Sequence, residues 1–327
     1  MPKTLEIRGT GIVKRAVISD YGATLIRLEV YDRERNLRDI VLGFESAEDY
    51  ANNPAFFGVV VGPIANRTAN GKFSFEGQEY NMQINEGKNN LHFNLDTGLH
   101  KQTFEVVNQT ESSVSLKLDI ADMEDGLPGN RTLVITYSIT PDDLLIEYSV
   151  TSDKDTVFNA TNHSYFNLNS HSSGAVFGHM LRLNCSSYTD IDDELIPTGE
   201  LLPIAKSDYD YSVFSNFSPT SAPIDHNFCR NGADEFGTAA ELVCLKSGIY
   251  MTVKTDLPGI QVYTGGSIPD IDGKDGAKYH AFSGIALETQ FYPNCLNEGV
   301  NNPKFAIPVV KAGEEYKTIT AYSFKTC

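Results

Sequence analysis

The sequence predicts an all-β fold of packed antiparallel sheets. Three observations carry that expectation. Apolar residues recur with a period of two, helical patterning is scarce, and Gly, Asn and Asp punctuate the runs at short intervals. No strand–helix alternation of a parallel α/β fold is present, and no G-x-G-x-x-G opens a helix. Runs of short strands joined by turn residues imply sheets packed face to face.

The elements follow in chain order. Thr24, Ile26, Leu28 and Val30 alternate with Ala23, Leu25, Arg27 and Glu29. Ser46-Ala47-Glu48-Asp49-Tyr50 suits one short helical turn with Ser46 as its cap. Phe73-Ser74-Phe75-Glu76-Gly77-Gln78-Glu79-Tyr80 reads as strand, turn, strand. Val114, Leu116, Leu118 and Ile120 alternate with Ser113, Ser115, Lys117 and Asp119. Leu133, Ile135, Tyr137 and Ile139 form the next run, and Leu144, Ile146, Tyr148 and Val150 the one after. Pro141-Asp142-Asp143 marks the turn between those two. Alternation of this kind turns one face to a core and the other toward solvent. No linker or shift in composition divides the chain, so residues 1–327 read as a single domain.

Composition narrows the function. Hydrophobic residues are 41% and charged residues 21%, ordinary globular usage that excludes a disordered chain. Asp plus Glu number 43 against 26 Lys plus Arg, a net charge of −17. So acidic a chain repels phosphate backbones and anionic membranes, and no nucleic-acid partner is expected. No run of about 18 apolar residues is present, so no membrane span is expected. The start, Met1-Pro2-Lys3-Thr4-Leu5-Glu6, lacks the apolar stretch of a secretory signal. Cys185, Cys229, Cys244, Cys295 and Cys327 form no C-x-x-C pair and read as reduced thiols of a cytoplasmic protein.

Several polar segments stand out against this background. Asn66-Arg67 offers a loop guanidinium, a rigid fan of donors for hydroxyls, or a plain surface arginine. His92 in Asn89-Asn90-Leu91-His92 either bonds a hydroxyl or caps a loop. His163 lies in Asn162-His163-Ser164-Tyr165-Phe166-Asn167-Leu168, and faces a pocket or a satisfied core position. Asp225 in Ile224-Asp225-His226-Asn227-Phe228 accepts from hydroxyls or builds a turn. Glu288 follows Gly284-Ile285-Ala286-Leu287, an approach typical of a buried strand. It is either a buried functional carboxylate or an outward residue on an edge strand. The acidic stretches 190–194 and 270–275 fit no EF-hand spacing, because Lys274 takes the fifth ligand position of the second. They read as solvated loops, and no metal site is expected. H-E-x-x-H, G-x-S-x-G and P-loop motifs are all missing.

Seven of these segments, in this order, resemble the aldose 1-epimerase (galactose mutarotase) family nearly end to end. They are Asn66-Arg67 with Gly71-Lys72-Phe73, then Asn90-Leu91-His92, 162–168, 196–200, 225–228, 257–265 and 287–294. The resemblance implies a large antiparallel β super-sandwich with an open sugar cleft. It implies interconversion of the α and β anomers of free aldoses such as galactose and glucose, without a cofactor. Position by position, Glu288 matches the general base and His163 the general acid. Arg67, with Asn66 beside it, His92 and Asp225 match substrate-positioning residues. The family usually has Gly-Gly where this chain has Phe93-Asn94, and often a later tryptophan where Phe104 stands. A reshaped loop beside the sugar is therefore expected.

The chemistry suits these residue types. Opening a cyclic hemiacetal removes the C1 hydroxyl proton and delivers one to the ring oxygen. A carboxylate and an imidazole on opposite sides can do both, each transfer being worth about 10²–10⁴ in rate. The alternative function is a non-catalytic carbohydrate-binding protein on the same fold, which would need Arg67 and Asp225 but not Glu288 with His163. A glycoside hydrolase using Glu288 and Asp225, and an enzyme for hexose 6-phosphates, are further rivals. The last would call for extra Lys or Arg near the cleft, and these segments hold no such cluster.

Overall fold

Alternating runs end up as paired strands. Ser113–Ile120, Arg131–Ile139 and Asp143–Ser152 lie side by side as antiparallel neighbours. In the middle one Leu133, Ile135, Tyr137 and Ile139 are buried, while Thr132, Val134, Thr136 and Ser138 are half-buried. Each such apolar side chain contributes roughly 1.5–3 kcal/mol on burial. Deleting one costs about 2–5 kcal/mol because the packed core cannot close the gap. The structure, a computed structural model, describes residues 1–221, 223–233 and 235–327.

These strands belong to a nine-stranded antiparallel sheet. Its order is Glu105–Gln109, Ser113–Ile120, Arg131–Ile139, Asp143–Ser152, Glu315–Thr326, Ile249–Thr255, Gly237–Cys244, His179–Leu183 and Ser215–Asn216. A six-stranded sheet runs Tyr165–Phe166, Ile285–Gln290, Gly259–Tyr263, Asp225–Arg230, Cys185–Ile191 and Pro197–Pro203. A four-stranded sheet holds Thr4–Arg8, Val13–Ser19, Leu25–Tyr31 and Leu37–Asp39. One core cluster joins all three, through Ile135 and Ile146, through Ile260, Val262 and Leu287, and through Ile7 and Leu28. Sheets stacked over a shared core make the expected antiparallel β super-sandwich.

Local expectations hold with two adjustments. Lys72–Phe75 and Gln78–Asn81 form a hairpin closed by Glu76 and Gly77, both at positive φ, the geometry of a two-residue primed turn. Thr140 and Asp143 bond each other through backbone and side chain at the predicted turn. Ser46 is the N-cap as expected, with its backbone N–H and hydroxyl both donating to Asp49, but the turn over Ala47–Asn52 is 3₁₀. The alternation in the 24–30 run breaks at its start, where Leu25 and Ile26 are both buried. Ile26 is the extra residue of a bulge opposite Val17 and Ile18 of the neighbouring strand, which pair with Arg27 and Leu25. A four-residue α-helix, Cys295–Glu298, is additional to the sequence reading. All five cysteines are unpaired.

Candidate active site

The six-stranded sheet supplies the floor of a cleft. Asn227, Gln261 and Glu288 occupy one rung across three strands, and Asp225, Tyr263 and Ala286 the next. Cross-strand partners share a face, so these side chains point the same way. Their neighbours Phe228, Ile260, Val262 and Leu287 face the core instead. Glu288 therefore sits on an interior strand, flanked by Tyr165–Phe166 and Gly259–Tyr263, and not on an edge. It is 2% exposed.

Loops from the other side of the cleft bring the remaining groups. Asn66, at φ 63°, turns its backbone N–H onto His92 Nδ1 at 3.1 Å, and its carbonyl accepts from the His92 N–H at 3.0 Å. His92 Nδ1 thus acts as acceptor, which leaves the ring proton on Nε2. Arg67 donates twice to Glu86, from Nε at 2.7 Å and Nη2 at 3.0 Å, and its Nη1 lies 3.5 Å from Asp225. Asp225 also accepts from Gln261 Nε2 at 2.6 Å. His163 lies between two short strands rather than inside one. Its backbone is pinned at both ends, N–H to Val59 and carbonyl to Gly58. Phe56 covers the imidazoles, with ring centroids 5.0 Å from His92 and 5.9 Å from His163.

The central pair is His163 Nε2 and Glu288 Oε1, 3.6 Å apart. Among the described residues, Glu288 Oε2 and His163 Nδ1 have no hydrogen-bond partner. Burial pushes the Glu288 carboxyl well above its ordinary range, the charge of Asp225 adds to that, and Arg67 opposes it. Burial drives the His163 imidazole down to about 4. His92 is also well below its ordinary value, through burial and then the neighbouring His163 and Arg67. Burial thus favours the uncharged form of all three groups, the protonated carboxyl of Glu288 and the neutral imidazoles of His163 and His92.

His92, His163 and Glu288 each bring one possible metal-ligand atom within 4.8 Å of the others. The donor chemistry argues against a metal. His92 Nδ1 is engaged by Asn66, and its Nε2 carries a proton, so neither nitrogen offers a lone pair. Two acid–base groups facing each other across a polar cleft of about 380 Å³ suit proton transfer on a small polyol.

All six residues singled out in the sequence, Asn66, Arg67, His92, His163, Asp225 and Glu288, line this one cleft. Arg67 departs from the expected open fan, because its donors already face Glu86 and Asp225. The reshaped loop departs as well. His92 and Phe93 sit at φ 56° and 71°, and Phe93 packs against Ile64, Phe73 and Tyr80 in a separate core cluster. Neither Phe93 nor Asn94 lines the cleft. An apolar ring in that backbone conformation gains more from the core than from a wet cleft. Sequence reasoning missed Glu86, Gln261, Tyr263 and Phe56. Gln261 carried one signal, since it falls in the 257–265 segment of the family resemblance.

The chain as a whole is similar to known proteins. Residues 9–323 match the family model described as aldose 1-epimerase. Galactose mutarotase of Sus scrofa is 35% identical over 320 residues, covering 95% of this chain and 91% of the relative. The Homo sapiens galactose mutarotase is 34% identical over 318 residues, again covering 95% and 91%. Aldose 1-epimerase of Haemophilus influenzae is 32% identical over 324 residues, covering 95% and 92%. The crystal structure of an aldose epimerase homologue from C. elegans superposes with a TM-score of 0.91 at 28% identity, covering 100% of this chain and 99% of that one.

Proposed function

The chain belongs to the aldose 1-epimerase family and is an isomerase that interconverts the α and β anomers of free aldoses; on that premise we propose that Glu288 is the base and His163 the acid of ring opening. The observation that carries the assignment is the pair itself: two buried, facing titratable groups, each with an unpartnered atom. Burial favours the neutral form of both groups, which sets the exchangeable proton on Glu288. Moving that proton to His163 creates the carboxylate and imidazolium that the reaction needs, with no net change in charge. Glu288 then takes the C1 hydroxyl proton as His163 protonates the ring oxygen. The C1–O bond of the ring breaks and a carbonyl forms at C1. Rotation about C1–C2 presents the other carbonyl face, and the two groups exchange roles as the ring closes. Each positioned transfer contributes about 10²–10⁴.

In this reading Arg67, Asp225 and Asn66 hold hydroxyls remote from C1, and His92 donates through Nε2–H. Galactose and glucose are the working substrates. No observation favours a non-catalytic role. Residues 1–327 act as one domain, a reading supported by a core cluster that runs from Leu5 to Phe324. Among the described residues, no helix is long and apolar enough to cross a membrane. Five unpaired thiols support residence in a reducing cytoplasm, and the net charge of −17 supports a neutral ligand over nucleic acid. Polarimetry of freshly dissolved α-D-galactose and α-D-glucose is the test. The expected outcome is a rate proportional to protein concentration, and a rate equal to buffer for both sugars would overturn the reading.

A further inference from the structure

Three carboxylates line the cleft: Glu86, Asp225 and Glu288. Among the described residues, Arg67 is the one Lys or Arg side chain that lines it. That guanidinium is already engaged twice, by the bidentate pair with Glu86 and by Asp225. Asp225 is tied in turn to Gln261, whose strand partner is Glu288, so it belongs to the sugar-facing floor. Glu86 is different. It stands on a tight turn held by reciprocal backbone bonds with Asn89, at 3.2 and 2.8 Å, through Gly87 at positive φ. Its side chain is 37% exposed where that of Arg67 is 9% exposed, so its charge faces the mouth of the cleft.

A uronate or a sugar phosphate binds where a cation, best a forked guanidinium, is free to receive it. Here the fork is filled by a side chain of the protein. We propose that Glu86 is a specificity-determining residue that closes this cleft to anionic aldoses, the uronates and hexose 6-phosphates, by occupying Arg67 and leaving the cleft negative. The inference rests on the epimerase reading above and adds the class of substrate excluded. The acidic chain reinforces the same sign at longer range. Neutral aldoses, which need hydrogen bonds and not charge, are unaffected by the sign.

Anomer-exchange NMR on D-galactose and D-galacturonate tests this, with wild type, Glu86→Gln and Glu86→Asp. The quantity read is the ratio of kcat/KM for the two sugars. Wild type should favour galactose strongly. Glu86→Gln should shift the ratio toward galacturonate by about tenfold, the scale of one unit charge removed from a half-exposed wall. Glu86→Asp keeps the charge and should keep the wild-type ratio. An unchanged ratio in Glu86→Gln, or equal use of both sugars by wild type, would overturn the proposal. A second arm needs no variant. Raising salt from about 10 mM to about 0.3 M should increase wild-type kcat/KM for galacturonate several-fold and leave galactose unmoved, because screening weakens repulsion alone. Identical salt responses would also overturn it. Absence of turnover on galactose in wild type is a separate result, which removes the epimerase reading beneath it.

Discussion

Lys274 is fully buried, and its ammonium meets Asp39 at 2.8 Å and the carbonyl of Ile26. Glu288 is buried to nearly the same degree, and one of its carboxylate oxygens meets no partner among the described residues. The surroundings continue the contrast. Arg27 bonds Asp275 twice, at 2.6 and 2.9 Å, and reaches Asp39 and Glu45 at 3.3 Å. His171 uses both ring nitrogens, on Tyr279 at 2.8 Å and on Asp275 at 3.3 Å. Around Glu288 the imidazole of His163 keeps a bare Nδ1, and the pair stands 3.6 Å apart, beyond a hydrogen bond. Both regions set a histidine among carboxylates, and residue type alone does not separate them. Pairing does. A buried charge whose bonds are complete holds the fold, whereas a buried titratable pair left incomplete at the wall of a cleft is placed to meet a ligand.

The comparison breaks first at Glu288→Gln. The amide has the same shape and cannot take the C1 hydroxyl proton, so kcat should fall by about 10²–10⁴. Thermal unfolding should show no loss of stability, because the replaced carboxyl was making no bond through Oε2. Retention of more than about a tenth of the wild-type rate would remove Glu288 from the base role. A large drop in melting temperature would place it with the paired, structural charges.

Asp39→Ala should do the opposite. It strips the fully buried Lys274 of its carboxylate and Arg27 of one of its contacts. Breaking such a pair from one side typically costs about 3–5 kcal/mol, because the remaining charge stays buried. Urea unfolding should report that loss, while turnover per folded molecule changes less than about tenfold. If the rate instead collapses with stability intact, the cluster around Asp39 belongs to the catalytic machinery and the distinction drawn above fails.

Legibility in the sequence followed the same divide. Strands with one wet face were readable, since Ser113–Ile120 and Arg131–Ile139 alternate visibly. Ile285–Gln290 showed only an apolar approach and no alternation, because all six residues are buried: Ile285, Leu287 and Thr289 on one side, Ala286, Glu288 and Gln290 on the other. A strand buried on both faces carries no period-two signal. Residue identity revealed Glu288, His163 and Arg67 as candidates. It could not reveal that Glu86 fills the fork of Arg67 or that Gln261 holds Asp225. Those contacts join residues 19 and 36 apart and exist only once the turn at Gly87 and the strand register are set. The Phe93 ring misled in the other direction, since its place beside His92 in sequence says nothing about which side of the backbone it takes.

The smallest effect is also the sharpest check on the proton inventory, and it lies in the pH dependence of stability. Glu288 has a folded value raised above its ordinary 4.5, so from that pH upward the unfolded chain has released a proton that the folded chain keeps. Stability is therefore lost as pH rises through this window, by up to about 1.4 kcal/mol per pH unit. His163 behaves inversely. Its folded value is about 4 against an ordinary 6.5, so between those limits the unfolded chain binds the extra proton. Stability then rises with pH by a similar slope. Above pH 4.5, where the two windows overlap, the slopes oppose each other in wild type. Glu288→Gln deletes the fall and leaves the rise. Denaturant unfolding at a series of pH values should show the variant gaining on wild type steadily from about pH 5 upward, at up to about 1.4 kcal/mol per unit. His163→Asn should show the reverse between pH 4.5 and 6.5, losing ground to wild type as pH rises. A difference between Glu288→Gln and wild type that stays flat across the range would mean that Glu288 ionises normally in the folded protein. The buried pair would then hold no proton to exchange, and the unpartnered atoms around it would need a different explanation.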